Sequence, residues 1–240
     1  MRLLATVVAG LAIFSQWIAG AEAASLRVAP VILDLKAPTA ASTMRIWNEA
    51  RTPINVQIRV FRWRQVNGEN TYEATNEVVA SPPITALRPG GENLVRIVRT
   101  SKRPVEAEES YRLVVDELPD PSRRTASAVV MVVRHSIPVF FGNPEAANAA
   151  PSWAVQKARG GYVVTVRNRG SQRIRISDLA LSSGSTVLAR GGGLVGYVLG
   201  NSTAKWFVPG TGRGRGAGSV TISADSEAGR LDATARLSGG

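Results

Sequence analysis

The chain has 240 residues, 44% hydrophobic and 20% charged, which is ordinary globular usage with room for one large or two small domains. It holds no cysteine and one histidine, His135, which excludes a disulfide framework, a thiol nucleophile, Cys-ligated zinc, iron–sulfur clusters and a histidine cluster for any metal. The formal net charge of +11 points to polyanions or carboxylate-bearing partners, and it is spread out: 16 basic against 12 acidic residues over 24–141, and 12 against 5 over 142–240.

The amino terminus reads as an export signal. Met1-Arg2 is a short positive start, 3–18 is apolar apart from Thr6, Gly10, Ser15 and Gln16, and Ala21-Glu22-Ala23 is an A-x-A-type cleavage site. Residues 1–23 are therefore expected to be a signal peptide, with a mature chain from Ala24. No later segment is long and apolar enough to span a bilayer, so an exported, soluble product without stable membrane insertion is expected.

Short alternating runs follow at 26–28, 31–33 and 44–47. The run 55–63 has nearly strict period two, with Val56, Ile58 and Val60 set against Asn55, Gln57 and Arg59. Further strands are expected at 93–100, 111–118 and 127–141, separated by turn signals such as Ser81-Pro82-Pro83 and Arg88-Pro89-Gly90-Gly91. Without a convincing amphipathic helix, 24–141 is expected to be an antiparallel sandwich of immunoglobulin size. The run 128–133 is continuously apolar. Either it is a central strand covered on both faces, or one face is covered by another protein.

The stretch 142–151 is small, Pro-bounded and aperiodic, and is expected to be a linker. Beyond it, strands are expected at 153–157, 162–168, 173–181, 186–189, 204–208, 220–224 and 231–237, making 152–240 a second β-domain. Of the 23 glycines, 18 lie at or after Gly142, so this half should be looser. Gly191-Gly192-Gly193 and 210–216 lack phosphate-loop spacing and are expected to be turns. Arg213 and Arg215 come without an aromatic RNA-binding strand or a helix-turn-helix, so no nucleic-acid partner is expected. His135 has no nucleophile motif near it and reads as a packed or hydrogen-bonded side chain, so neither catalysis nor a cofactor or metal is expected. Arg112 alternates onto the same face as Val114. It either pairs with Asp116 or Glu117, or holds a terminal carboxylate through its forked guanidinium; the same two readings apply to Arg134.

The opening Ser25-Leu26-Arg27-Val28-Ala29-Pro30-Val31, the strand 56–63, Ser81-Pro82-Pro83 and Leu87-Arg88-Pro89-Gly90 together resemble the periplasmic pilus-assembly chaperones. So do Val95-Arg96-Ile97-Val98-Arg99, the segment 111–119 and Ser136-Ile137-Pro138-Val139-Phe140. The resemblance runs through the first domain in order; the second rests on size and strand pattern. It implies an all-β chain of two immunoglobulin-like β-sandwich domains in a boomerang arrangement, with a ligand cleft between them. It also implies a periplasmic, non-enzymatic chaperone that folds pilus subunits by donor-strand complementation and delivers them to an outer-membrane usher. On this resemblance Val129, Met131 and Val133 are the donor row, while Val130 and Val132 face the chain's own core.

The better-known branch of the family anchors the subunit's carboxylate with an arginine in the first strand and a lysine in the donor strand, places that here hold Pro30 and Pro138. The chain in this respect is similar to the archaic, Csu-type branch serving spore-coat-U-like subunits. The anchor is then expected at Arg112 first and Arg134 next, with His135 a neighbour. The two prolines, lacking a backbone donor, should sit at an edge or bulge. Arg96 and Arg99 are candidate interdomain braces or usher contacts, and the resemblance admits a self-capping homodimer of the free chain. Two other readings stand beside it: a two-domain β adhesin or pilus subunit, against which no free donor arm precedes 26–35, and a secreted polyanion- or carbohydrate-binding module, against which aromatics are only 6% of the chain.

Overall fold

The computed structural model describes residues 26–119, 131–212 and 218–239, and every regular element among them is a strand. The expected signal peptide, the strand positions 127–130 and the Arg213/Arg215 segment lie outside the described residues. None of the described residues forms a helix long and apolar enough to cross a membrane.

The first ten strands are β1 (Leu26–Ala29), β2 (Leu33–Lys36), β3 (Ala41–Asn48), β4 (Ile54–Val66), β5 (Glu69–Ala74), β6 (Val78–Ser81), β7 (Ile84–Leu87), β8 (Glu92–Arg99), β9 (Glu109–Leu118) and β10 (Arg134–Gly142). They form two facing sheets, β1-β3-β8-β6 and β2-β10-β9-β4-β5, with β7 also paired to β4. Period-two alternation builds the core between them: Leu26 and Val28, Met44 and Ile46, Val95 and Ile97 face in from one sheet, and Val56, Ile58, Leu113 and Val115 from the other. Pro30 lies between β1 and β2, where the chain crosses from one sheet to the other: β1 pairs with β3, β2 with β10. A missing backbone donor costs nothing there, because no ladder runs through the crossing. Arg99 braces this domain internally, with its guanidinium on Glu109 (2.8 Å) and on the Ser101 carbonyl (2.6 Å).

The remaining strands are β11 (Pro151–Ala158), β12 (Gly161–Asn168), β13 (Ile174–Ser183), β14 (Thr186–Val198), β15 (Thr203–Pro209), β16 (Ser219–Ser226) and β17 (Gly229–Ser238), in the order β14-β13-β16-β17-β11-β12-β15. This sheet wraps a second core of Val164, Val166, Ile176, Leu179, Leu181, Val198 and Ile222. Gly191-Gly192-Gly193 corrects the sequence expectation: the three glycines lie inside β14, not in a turn. The register of β13 against β14 shifts twice beside them, Gly193 takes φ 66°, and its N–H donates to the Asp178 carboxylate at 2.9 Å. A β-bulge demands the same left-handed backbone as a turn, which is why the two look alike in sequence. The segment joining the two domains is packed down rather than loose, since the Ala147 carbonyl accepts from Ser171 and Gln172 N–H groups.

Candidate functional site

β10 does different things on its two faces and its two edges. Its odd residues Ile137, Val139 and Phe141 are buried in the first core, and Val133 packs against the same core just before the strand. Its even residues, Arg134, Ser136, Pro138 and Phe140, face the cleft side, where Phe140 joins Trp63, Tyr197 and Leu199 in a cluster shared by both domains.

The edges follow from one hydrogen bond. The Glu117 N–H donates to the Val133 carbonyl at 2.9 Å, so in the antiparallel ladder of β9 and β10 the odd residues of β10 bond to β9. The even residues then direct their backbone groups to the other edge. From Val139 to Gly142 that edge is filled by β2, running parallel. From Arg134 to Pro138 no strand among the described residues occupies it. Pro138 therefore lacks its N–H on the open edge and leaves the β9 ladder whole, as the sequence expectation required.

The described part of the long strand expected over 127–141 begins at Arg134, and its positions 127–130 lie outside the described residues. Met131 is 89% exposed and Val132 47% exposed. Val129 and Val130 lie outside the described residues. The expectation that Val132 faces the domain's own core is corrected: Ile137, Val139 and Phe141 set the odd parity of the core face, so Val133 packs inward and Val132 does not. Val133 thus extends the core face just before the strand, and Met131, two residues earlier, is exposed. His135 is on this face too, its Nε2 donating to the Leu26 carbonyl at 2.8 Å, and so ties β10 to β1 as a structural side chain.

Arg112 stands on the cleft face of β9, directly across from Pro138. The alternation of β4 places Trp63 on that face, and the Arg112 guanidinium carbon sits 3.9 Å from the Trp63 ring centroid. Phe140 and Tyr197 flank the indole at 5.9 and 5.7 Å, and Tyr72 lies at 6.4 Å. Pairing with Asp116, one of the two readings of the sequence, does not occur: Asp116 bonds Arg59 at 2.5 Å and also Arg134. Arg112 has no carboxylate partner among the described residues, its Nε is buried without a hydrogen bond, and one terminal nitrogen only approaches the Ser136 carbonyl at 3.5 Å. Burial pushes its pKa down, and Tyr72 and Tyr197 work against that. The guanidinium is partly desolvated over the indole and has no carboxylate among the described residues to offset its charge, so the site favours an incoming anion.

Arg134 is placed elsewhere. It lies opposite Asp116, four residues along the strand from the Pro138–Arg112 pair, a separation of about 13 Å. The structure does not bring Arg112 and Arg134 together on one carboxylate. Burial raises the Asp116 pKa, but Arg134 and Arg59 outweigh it and hold the carboxyl below the usual range.

Sequence reading missed the aromatic pad and the joint between domains. Gln65 clamps the second domain through both ends of its amide, donating to the Tyr197 carbonyl at 2.7 Å and accepting from Leu199 N–H at 2.9 Å. Arg173 reaches from the second domain to Glu108 (2.5 Å) and Asp34 (2.8 Å) with its guanidinium carbon 3.7 Å from the Phe140 centroid. The available signal was parity: Trp63 and Gln65 fall on the face of β4 opposite its core residues.

The family model for the N-terminal domain of pili and flagellar-assembly chaperones matches residues 25–147. The chaperone protein PapD of Escherichia coli is 29% identical over 118 residues, a match covering 45% of this chain and 48% of PapD, so about half the length of that curated relative is spanned. Among solved structures, the complex of CsuC with the tip subunit CsuE, from archaic chaperone-usher Csu pili of Acinetobacter baumannii, contains a chain 26% identical to this one. The TM-score is 0.66, with 90% of this chain and 100% of that one covered. The Salmonella enterica complex of SafA pilin with the SafB chaperone shares the fold at 15% identity and TM-score 0.59, covering 88% of this chain and 97% of that one.

Proposed function

Since the chain belongs to the pili and flagellar-assembly chaperone family, we propose that it is a periplasmic, non-enzymatic chaperone of the Csu-type branch. It captures spore-coat-U-like pilus subunits by lending them the open edge of β10, and passes them to an outer-membrane usher. In this reading 1–23 is the signal peptide, 24–141 the donating domain, 142–151 the linker and 152–240 the second domain. The single observation that carries the reading is the edge of β10 from Arg134 to Pro138, which no strand among the described residues pairs and which ends at β2, with the partly buried Arg112 beside it lacking a carboxylate among those residues.

Direction follows from that geometry. β2 blocks the edge from Val139 onward, so a guest strand must stop there, with its terminal carboxylate at Arg112 and its preceding residues running back past Arg134 toward Met131. It therefore runs parallel to β10. Its inward side chains meet the row Val133, Met131 and Val129, and the guest completes its core on that row. The same edge is where a second copy of the free chain would dock as a self-capping homodimer.

The test is co-expression of the chain, signal peptide included, with a spore-coat-U-like subunit. Recovery of the subunit as a soluble 1:1 complex with wild type, and its loss with Met131→Asp, is expected. Equal recovery with both proteins, or none with either, overturns the reading.

A further inference from the structure

Arg134, Asp116 and Arg59 form a three-charge cluster on the cleft face, in line with the open edge. The Asp116 side chain is only 9% exposed, whereas Arg59 is 43% and Arg134 66% exposed. Asp116 fixes both guanidiniums: one oxygen takes Arg59 from β4, the other takes Arg134 from β10. Arg59 is further held with its guanidinium carbon 5.5 Å from the Phe61 centroid. Two cations share one carboxylate, so the cluster keeps one unit of positive charge, and it is the outer member, Arg134 on the edge strand itself, that faces an incoming chain. Arg134 engages Asp116 through Nε, and its two terminal nitrogens make no hydrogen bond to another of the described residues.

Resting on the reading that a guest strand runs parallel to β10 with its carboxylate at Arg112, we propose that Arg134 reads an acidic side chain of the guest, four residues before its carboxyl end. The arithmetic is the register: Pro138 is opposite Arg112 and Arg134 is four residues earlier, on the same face. With the guest's last residue beside Pro138, its fourth residue before the end lies beside Arg134, and the even spacing keeps that side chain on the cleft face. Arg112 thus takes the main-chain carboxylate, which every guest has, and Arg134 takes a side chain, which distinguishes guests. Arg59 is a positioning residue: it offsets the charge of Asp116, so that Asp116 orients Arg134 without cancelling it.

The probe is a fluorescein-labelled nonapeptide of alternating valine and threonine with a free carboxyl end, titrated with the full mature chain by fluorescence anisotropy. Glutamate four residues before the end should bind about two- to fivefold tighter than glutamine there, the range of a partly exposed ion pair. The preference should vanish in Arg134→Gln and reverse toward lysine in Arg134→Glu. Glutamate at the third or fifth position before the end should weaken binding, because those side chains face the core row. A glutamate preference that survives in Arg134→Gln, or no preference at all while binding still needs the free carboxylate and Arg112, overturns this proposal and leaves the capture reading standing. Equal binding of the carboxyl-amidated peptide overturns the Arg112 reading and this proposal with it. The glutamate-to-glutamine change sits in the peptide, so that comparison holds whatever the variants do to folding.

Discussion

Replacing Arg173 with methionine should weaken the joint between the two domains more than any other single substitution there. The Arg173 side chain is 7% exposed and that of Glu108 1% exposed, so removing the cation strands a buried carboxylate. It also removes a bond to Asp34 and the stack on Phe140. Breaking one side of such a pair costs about 3–5 kcal/mol, whereas replacing both sides with apolar groups is often neutral. Arg173→Met should therefore lose about 3–5 kcal/mol in equilibrium urea unfolding followed by tryptophan fluorescence, with Trp63 in the interdomain cluster as reporter, and Arg173→Met with Glu108→Leu should recover most of it. The pH dependence has a definite sign. Burial already pushes the Glu108 pKa up against the pull of Arg173, and without Arg173 it rises further. A carboxyl whose folded pKa lies above its unfolded value contributes stability below the unfolded value and loses it as pH rises through the folded one. The deficit of Arg173→Met should accordingly narrow on acidification from neutrality. A loss under about 1 kcal/mol, or a double variant no better than the single one, would refute the reasoning.

Arg112→Gln should abolish subunit capture in co-purification yet leave the free chain within about 1 kcal/mol of wild type in urea unfolding, because the cation it removes lacks a carboxylate partner. A loss as large as that of Arg173→Met would make Arg112 a structural residue. Gly170→Ala should cost at least about 1–3 kcal/mol, since a Cβ there would lie 1.8 Å from the Asn148 carbonyl oxygen, and backbone atoms yield less than side chains do. Thermal melting reads this directly. Asp116→Asn should flatten part of the acid limb of the stability curve. The folded pKa of Asp116 is depressed by Arg134 and Arg59 against burial, so its contribution is present above the unfolded value and is lost as pH falls through the folded one. An unchanged acid limb by circular dichroism would count against it.

The strands were legible because a half-buried sheet writes period two into the chain, and runs such as 55–63 and 93–100 carry little else. Pro138 was legible for a similar reason: a residue without an N–H in an otherwise apolar strand demands an open edge, and the register supplies one. Arg112 stood out as a cation among apolar residues, but its surroundings did not. The pad beneath it takes Trp63 and Phe140 from one domain and Tyr197 from the other, and no local pattern announces a contact between such distant positions. Arg173 was hidden likewise, since Asp34, Glu108 and Glu227 converge on it from three separate segments. The glycine triplet was misread because bulge and turn require the same backbone.

The arrangement around β10 separates the energy of capture from its register. The apolar row beyond Val133 is forgiving, since valine and methionine accept many partners and a slip of two residues would keep the same face inward. Such a slip would nonetheless move a guest by about 6–7 Å, which carries its terminal carboxylate clear of Arg112 in one direction and into the end of β2 in the other. The cation must therefore be scarce in alternatives to define one register. Asp116 and Arg59 hold Arg134 in its own row, about 13 Å from Arg112, so a guest seated with its carboxyl end at Arg112 cannot share that carboxylate with Arg134. On the proposed capture a guest's register is set at the strand's blocked end, and that is where Arg112 lies, without a carboxylate partner among the described residues.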